Sequence, residues 1–123
     1  MVTGSVNALL TGNIRFPIED AHAVRHDMEA TVDTAFMGFL TLPKDRISAL
    51  ALNYLHYRLA VLGDGTTVLM NIYDATVIWD GQAKAVEVIE SETFPLVGMR
   101  MMAGNRLRMD VVPGGAVEIE PLP

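Results

Sequence analysis

The sequence predicts a mostly antiparallel β domain, a small barrel or sandwich with one or two short helices. Three observations predict it. The dipeptides Asp64-Gly65 and Asp80-Gly81 each stand between two runs rich in strand-forming residues, which is typical of tight hairpins. The stretch 84–90 alternates polar and apolar side chains, as a half-buried strand does. Helical periodicity is confined to two short segments.

The strand predictions follow from these turns and from the alternation. The apolar runs 35–42 and 59–62 have the length of buried strands, and Trp79 is expected to anchor its hairpin in the core or against a partner. The predicted strands are Ser5–Thr11, Asn13–Ile18, His26–Val32, Tyr57–Leu62, Thr66–Tyr73, Thr76–Trp79, Gln82–Ile89, Leu107–Val112 and Ala116–Glu120.

Two short helices are predicted. Pro43 can open a helix at its first turn, and Ile47, Leu50 and Ala51 would then share one face. A second helical turn is predicted over Met99–Ala103, just before a glycine that can end it.

The bulk composition limits the possible classes of function. The 123 residues suit one domain, residues 1–123, and 50% hydrophobic with 20% charged residues is a globular composition. No apolar run approaches the roughly 20 residues that cross a bilayer, so no membrane partner is expected. The net charge of −6 argues against a nucleic-acid partner. The absence of cysteine excludes disulfides, and without a signal-peptide pattern at the start a cytoplasmic location is expected.

Several familiar chemistries find no support in the sequence. His22 and His26 are four apart, but they lie in a predicted loop that runs into a strand. No serine stands in a nucleophile elbow. Gly63 and Gly65 lack the third glycine of a dinucleotide motif, because Val68 stands in its place. Neither a metal site nor a cofactor is therefore predicted.

Asp33 is the remaining candidate for chemistry. It ends the alternating strand 26–32, and the small residues Thr34 and Ala35 lead from it into the apolar run 36–40. A carboxylate entering an apolar stretch is screened from water and can serve as a general acid or base. The same position also suits an aspartate that only forms a turn. The triplet alone leaves both interpretations open.

The segment around Asp33 closely resembles the catalytic segment of retropepsin-like aspartic peptidases, above all their bacterial and archaeal single-domain branch. The resemblance covers 32–43, Val-Asp-Thr-Ala-Phe-Met-Gly-Phe-Leu-Thr-Leu-Pro. In the order that the family requires, 62–66 resembles the tip of its flap hairpin and 95–99 its hydrophobic-hydrophobic-glycine element. The stretch 107–121 resembles its C-terminal end. The similarity spans nearly the whole chain, and it implies the retropepsin-like closed β-barrel with one or two short helices.

The resemblance also implies roles for individual residues. Thr34 would hydrogen-bond across a two-fold axis, and Ala35 would supply a backbone N–H near the carboxylates. The implied set comprises the catalytic triplet Asp33, Thr34 and Ala35, the substrate-binding flap residues Gly63, Asp64, Gly65 and Thr66, and the loop-supporting residues Leu96, Val97 and Gly98.

This chemistry requires two carboxylates that face each other across one water molecule. In the general account of this enzyme class the pair shares one proton and titrates as a unit. The chain contains a single Asp-[Thr/Ser]-[Gly/Ala] triplet, so the second carboxylate must come from a second copy. The resemblance therefore implies a homodimeric aspartic endopeptidase that acts on a peptide or protein substrate.

Two departures from the family pattern keep other functions open. Ala35 stands where glycine is commoner, and Met37 replaces the smaller polar residue of many bacterial relatives. One alternative is a dimer of the same fold that binds an extended peptide without cutting it. Another is a domain that only dimerises and scaffolds other proteins.

Overall fold

The computed structural model describes all 123 residues and contains ten strands and two short helices. The predicted all-β class is confirmed. No helix is both long and apolar enough to cross a membrane. The elements are β1 (Val2–Val6), β2 (Gly12–Glu19), β3 (Arg25–Val32), β4 (Leu40–Leu42), α1 (Lys44–Leu50), β5 (Asn53–Val61), β6 (Thr67–Trp79), β7 (Gln82–Glu90), β8 (Leu96–Val97), α2 (Met99–Met102), β9 (Asn105–Met109) and β10 (Ala116–Pro121).

The strands form a single mixed sheet in the order β5-β6-β7-β4-β8-β3-β2-β1-β10-β9. Most neighbours are antiparallel, but β3 with β8 and β4 with β7 are parallel. Strand β2 also pairs with β6, where Ile18 faces Val77 and Glu19 faces Thr76. This second pairing covers two residue pairs.

One hydrophobic cluster of 21 buried residues holds the sheet together. Trp79 lies in it, with its ring edge-on to Phe16 at a centroid distance of 5.6 Å. Burying each large apolar side chain contributes about 1.5–3 kcal/mol. The cluster includes Leu40 of β4 and Val97 of β8, both fully buried, so the core extends to two strands next to the Asp33 loop.

Both predicted helices are present, with one correction. Ile47 and Leu50 of α1 are buried, as their spacing predicted. Ala51 was expected on the same face, but it caps the helix in the left-handed conformation with φ 53° and is exposed. In α2, Met101 and Met102 enter the core.

The two Asp-Gly hairpins differ from each other. Asp80 and Gly81 both have positive φ, 52° and 80°, as the type I′ turn requires. In the β5–β6 hairpin only Gly65 has a positive φ, of 86°. The N–H of Gly65 donates to Leu62 O at 2.9 Å. This is the pattern of a type I turn followed by a left-handed residue, which gives a longer loop than predicted.

Some strand boundaries were predicted wrongly. The first strand ends at Val6 rather than Thr11, because the Asn7 side chain accepts the N–H groups of Leu9 and Thr11 at 3.0 Å and forms a turn instead. The two segments predicted between 66 and 79 are one continuous strand, β6.

Candidate functional site

Asp33 is the first residue after β3, in the loop 33–39 that leads to β4. Its backbone N–H donates to Val97 O at 2.9 Å, and its C=O accepts the Phe36 N–H at 3.2 Å. The carboxylate oxygen Oδ1 accepts the Ala35 N–H at 2.9 Å. Asp33 is half-buried, whereas Thr34 and Ala35 are exposed. The loop thus fixes the carboxylate by its backbone and leaves the two residues after it accessible.

Strand β8 lies between the two strands that flank this loop. It runs parallel to β3, with Val32 opposite Val97, and antiparallel to β4, with Leu40 opposite Val97. The N–H of Leu96 donates to the hydroxyl of the buried Thr41 at 2.9 Å. Because β8 pairs on both sides, the base of the Asp33 loop is held within the sheet.

Gly98 makes the close approach between β8 and the loop possible. A Cβ at this position would lie 2.3 Å from Gly38 O and 2.6 Å from Phe36 O. The N–H of Gly98 donates to Phe39 O at 3.0 Å, and that of Met99 to Phe36 O at 2.8 Å. Only glycine fits between these carbonyl groups without moving the loop.

The predicted flap residues lie at the tip of the β5–β6 hairpin. Gly63 and Gly65 have open space around them. The Thr66 N–H donates to Asp64 Oδ1 at 2.9 Å, and the Thr66 hydroxyl also donates to it. These hydrogen bonds, the hydroxyl's above all, lower the pKa of the Asp64 carboxyl. The tip is stabilised by its own side chains, and no hydrogen bond joins it to the Asp33 loop.

The two faces of this hairpin differ in exposure. Residues opposite each other in the register share a face, so Arg58 and Met70 lie on one face and Leu59 and Leu69 on the other. Met70 is half-buried, whereas Leu59 is 65% and Val61 73% exposed. The prediction of a buried strand at 59–62 is therefore wrong, because no second layer covers this face.

A cavity of about 250 Å³ is lined by residues of the Asp33 loop and by Arg58 of the β5–β6 hairpin. Within it, Arg58 Nη2 donates to both oxygens of Glu87, at 2.7 and 3.1 Å. The lining residues are Met37, Gly38 and Phe39 of the loop, Arg58 of β5, Glu87 and Ile89 of β7, and Arg100 of α2.

The charged residues of this cavity are not evident from the sequence. Arg58 and Glu87 are 29 positions apart and come together only through the pairing of β5, β6 and β7. No local pattern marks such a pair, since ordinary alternation also places charged residues on a solvent face.

The histidine pair is not brought into a shared site. His26 Nε2 lies 2.9 Å from Asp20 Oδ2, and His22 contributes only its backbone N–H to Asp20 Oδ1 at 2.8 Å. These contacts stabilise the turn between β2 and β3. This turn lies at the opposite end of β3 from Asp33.

No protein-family model, curated protein or solved structure matches this chain. Asp33 makes no ion pair within the chain, and its Oδ2 makes no hydrogen bond there. Asp33 is half-buried, and its free Oδ2 can accept a hydrogen bond from a bound water molecule.

Proposed function

We propose that the protein is a retropepsin-like aspartic endopeptidase that hydrolyses peptide bonds between the two Asp33 carboxylates of a homodimer. The observation that carries the proposal is the position of β8, inserted between β3 and β4 beneath the Asp33 loop. This insertion brings two of the resembling segments, the Asp-Thr-Ala triplet and Leu96-Val97-Gly98, into one structural unit.

The second pairing of β2 supports the closed barrel that this family would require. Strands β2, β6, β7, β4, β8 and β3 form a ring in which each pairs with the next, and β3 pairs with β2. A closed ring removes sheet edges and would hold the Asp33 loop at a fixed position on its rim.

The reaction uses one water molecule and two carboxyl groups. The ionised Asp33 accepts a proton from the water as its oxygen attacks the scissile carbonyl carbon, while the protonated Asp33 of the second copy donates to the carbonyl oxygen. The tetrahedral intermediate then collapses as the C–N bond breaks and a proton passes to the leaving amine. The Ala35 N–H, at 2.9 Å from Asp33 Oδ1, would keep the carboxylate oriented throughout.

The homodimer is part of the proposal because one chain holds half of the site. The sequence has one Asp-Thr-Ala triplet, and Asp33 has no carboxylate partner of its own. The exposed hydroxyl of Thr34 is free to donate and accept across a two-fold axis. A symmetric dimer would place identical loops against each other.

The hairpin tip would close over an extended substrate. Gly65 adopts a left-handed conformation in open space, so the tip can shift without clashes. Closure of such a hairpin would exclude bulk solvent from the scissile bond and leave the one attacking water molecule in place.

The decisive test replaces the carboxylate by its uncharged isostere. We expect Asp33→Asn to lower the rate of peptide hydrolysis between about pH 4 and 7 by at least a hundredfold, since general acid–base catalysis contributes about 10²–10⁴. Sedimentation should show an unchanged dimer. Asp27→Asn, at an exposed position of β3 without an ion pair, is the matched control. An Asp33→Asn protein that cleaves as fast as the parent would refute the proposal.

One observation favours a second function, peptide binding without cleavage. Strand β5 is the last strand at its end of the sheet, so one side of it has backbone groups free to pair. An extended peptide could add to this edge beside the cavity. Peptide binding by a parent protein that hydrolyses none of a broad peptide library would favour this function.

A further inference from the structure

We propose that the cavity between the Asp33 loop and the hairpin is a subsite that selects an acidic side chain of the bound peptide. The inference rests on the proposed function in so far as a peptide must occupy the cleft. The cavity has a volume of about 250 Å³. It is smaller than a typical small-molecule pocket, and its size suits one side chain. Its selectivity follows from the charges that line it.

The lining carries more positive than negative charge. Arg58 and Arg100 contribute two positive charges and Glu87 one negative charge, which leaves 2 − 1 = +1. The chain as a whole has a net charge of −6. A positive cavity in an acidic protein is a local feature, and it attracts anionic groups more than neutral ones.

Arg58 keeps donors available although it is paired. Both of its hydrogen bonds to Glu87 come from Nη2. A guanidinium has five N–H donors, and those of Nη1 and Nε make no hydrogen bond within the chain. A carboxylate entering the cavity can therefore bind Arg58 without breaking the Arg58–Glu87 pair.

Arg100 has no carboxylate partner at all. Its backbone N–H donates to Gly38 O at 3.1 Å, which fixes its position against the Asp33 loop. Its Cζ lies 6.0 Å from the centre of the Phe39 ring, within cation–π distance. Four other arginines each lie within salt-bridge distance of a glutamate: Arg15, Arg25, Arg106 and Arg108.

The remaining lining suits the aliphatic part of a glutamate. Met37 is 69% exposed, and with Phe39 and Ile89 it gives the cavity an apolar wall. Lys84 adds a further positive charge behind this wall, with Nζ 5.8 Å from the Phe39 ring centre. A cavity lined by both apolar side chains and guanidinium groups favours a carboxylate on a short methylene stem.

The test uses the Asp33→Asn protein, which would bind peptides without cleaving them. Apolar octapeptides with a single glutamate, scanned through every position, are compared with their glutamine counterparts by titration calorimetry. At one position we expect the glutamate peptide to bind about fivefold more tightly, the effect of a partly exposed ion pair. The preference should be lost below the glutamate pKa of about 4.3 and should weaken as salt is added.

Three further substitutions in the same protein assign the preference to the cavity. Arg100→Gln should abolish most of it, and Glu87→Gln should increase it because Arg58 is released. Arg108→Gln, on β9 at the other end of the sheet order, removes the same charge and should leave the preference unchanged.

The subsite is refuted if glutamate and glutamine peptides bind equally at every position, or if none of them binds. It is also refuted if Arg108→Gln reduces the preference as much as Arg100→Gln. Catalysis is tested separately from the subsite. A parent protein that hydrolyses none of the peptides bound selectively by the Asp33→Asn protein would refute catalysis and leave the subsite in place.

Discussion

At the scale of single residues, the position of Asp33 depends on a contact that only glycine permits. Gly98 lies against Gly38 O and Phe36 O, and its own N–H is bonded to Phe39 O. The backbone around it cannot move away without losing hydrogen bonds. Gly98 therefore affects both the geometry of the Asp33 loop and the stability of the fold.

Gly98→Ala should be strongly destabilising. Its Cβ would lie 2.3 Å from Gly38 O, and overpacking of this kind costs about 1–3 kcal/mol in the free energy of unfolding. Gly63→Ala is the control, because nothing lies within 4 Å of the added Cβ, and it should change stability by less than about 0.5 kcal/mol. Urea unfolding at one fixed protein concentration measures both. Equal stability of the two variants would contradict the close packing of the loop.

The sequence identified some site residues and could not identify others. Asp33 and Gly98 were found because each lies in a short contiguous segment with a recognisable pattern. Arg100 was not found, because the role proposed for it depends on its having no carboxylate partner in the folded chain. Pairing is a property of the tertiary structure, and no spacing in the sequence reports it.

At the scale of elements, the type of the Asp80-Gly81 turn was predicted, whereas the exposure of β5 was not. Asp80-Gly81 forms its turn as expected, since the positive φ of both residues is a local preference. The run 59–62 has strand-forming residues, but its exposure depends on whether another layer covers β5, and the sheet provides none. Strand propensity predicts extension and does not predict which face is covered.

The exposed face of β5 can be tested by comparing two leucine substitutions. Leu59→Thr keeps strand propensity and should change the free energy of unfolding by less than about 0.5 kcal/mol, since Leu59 is 65% exposed. Leu40→Ala removes a fully buried side chain and should cost about 2–5 kcal/mol. Urea denaturation gives both values. A loss at Leu59 as large as that at Leu40 would mean that a second copy covers this face.

At the scale of the whole molecule, the proposed peptidase activity would require the fold to persist at the acidic pH where carboxylates titrate. The turn between β2 and β3 contributes to this. The hydrogen bond from His26 and then that from the Val24 N–H lower the pKa of Asp20 to about 2, from its usual 3.8. The folded pKa lies below the unfolded one, so this contribution is complete above pH 3.8 and is lost as the pH falls toward 2. It therefore persists throughout the range in which a carboxylate dyad is expected to work.

Asp20→Asn should therefore alter the pH dependence of stability in one direction. At pH 7 the variant should be less stable than the parent, and the difference should shrink as the pH falls from about 4 to 2, because the parent then loses the ionised form. Thermal unfolding of both proteins at each pH measures the difference. Asp27→Asn, which removes an exposed carboxylate without an ion pair, is the control for general charge effects. If the difference in stability between Asp20→Asn and the parent is the same at pH 2 and pH 7, the ionised Asp20 does not stabilise the fold.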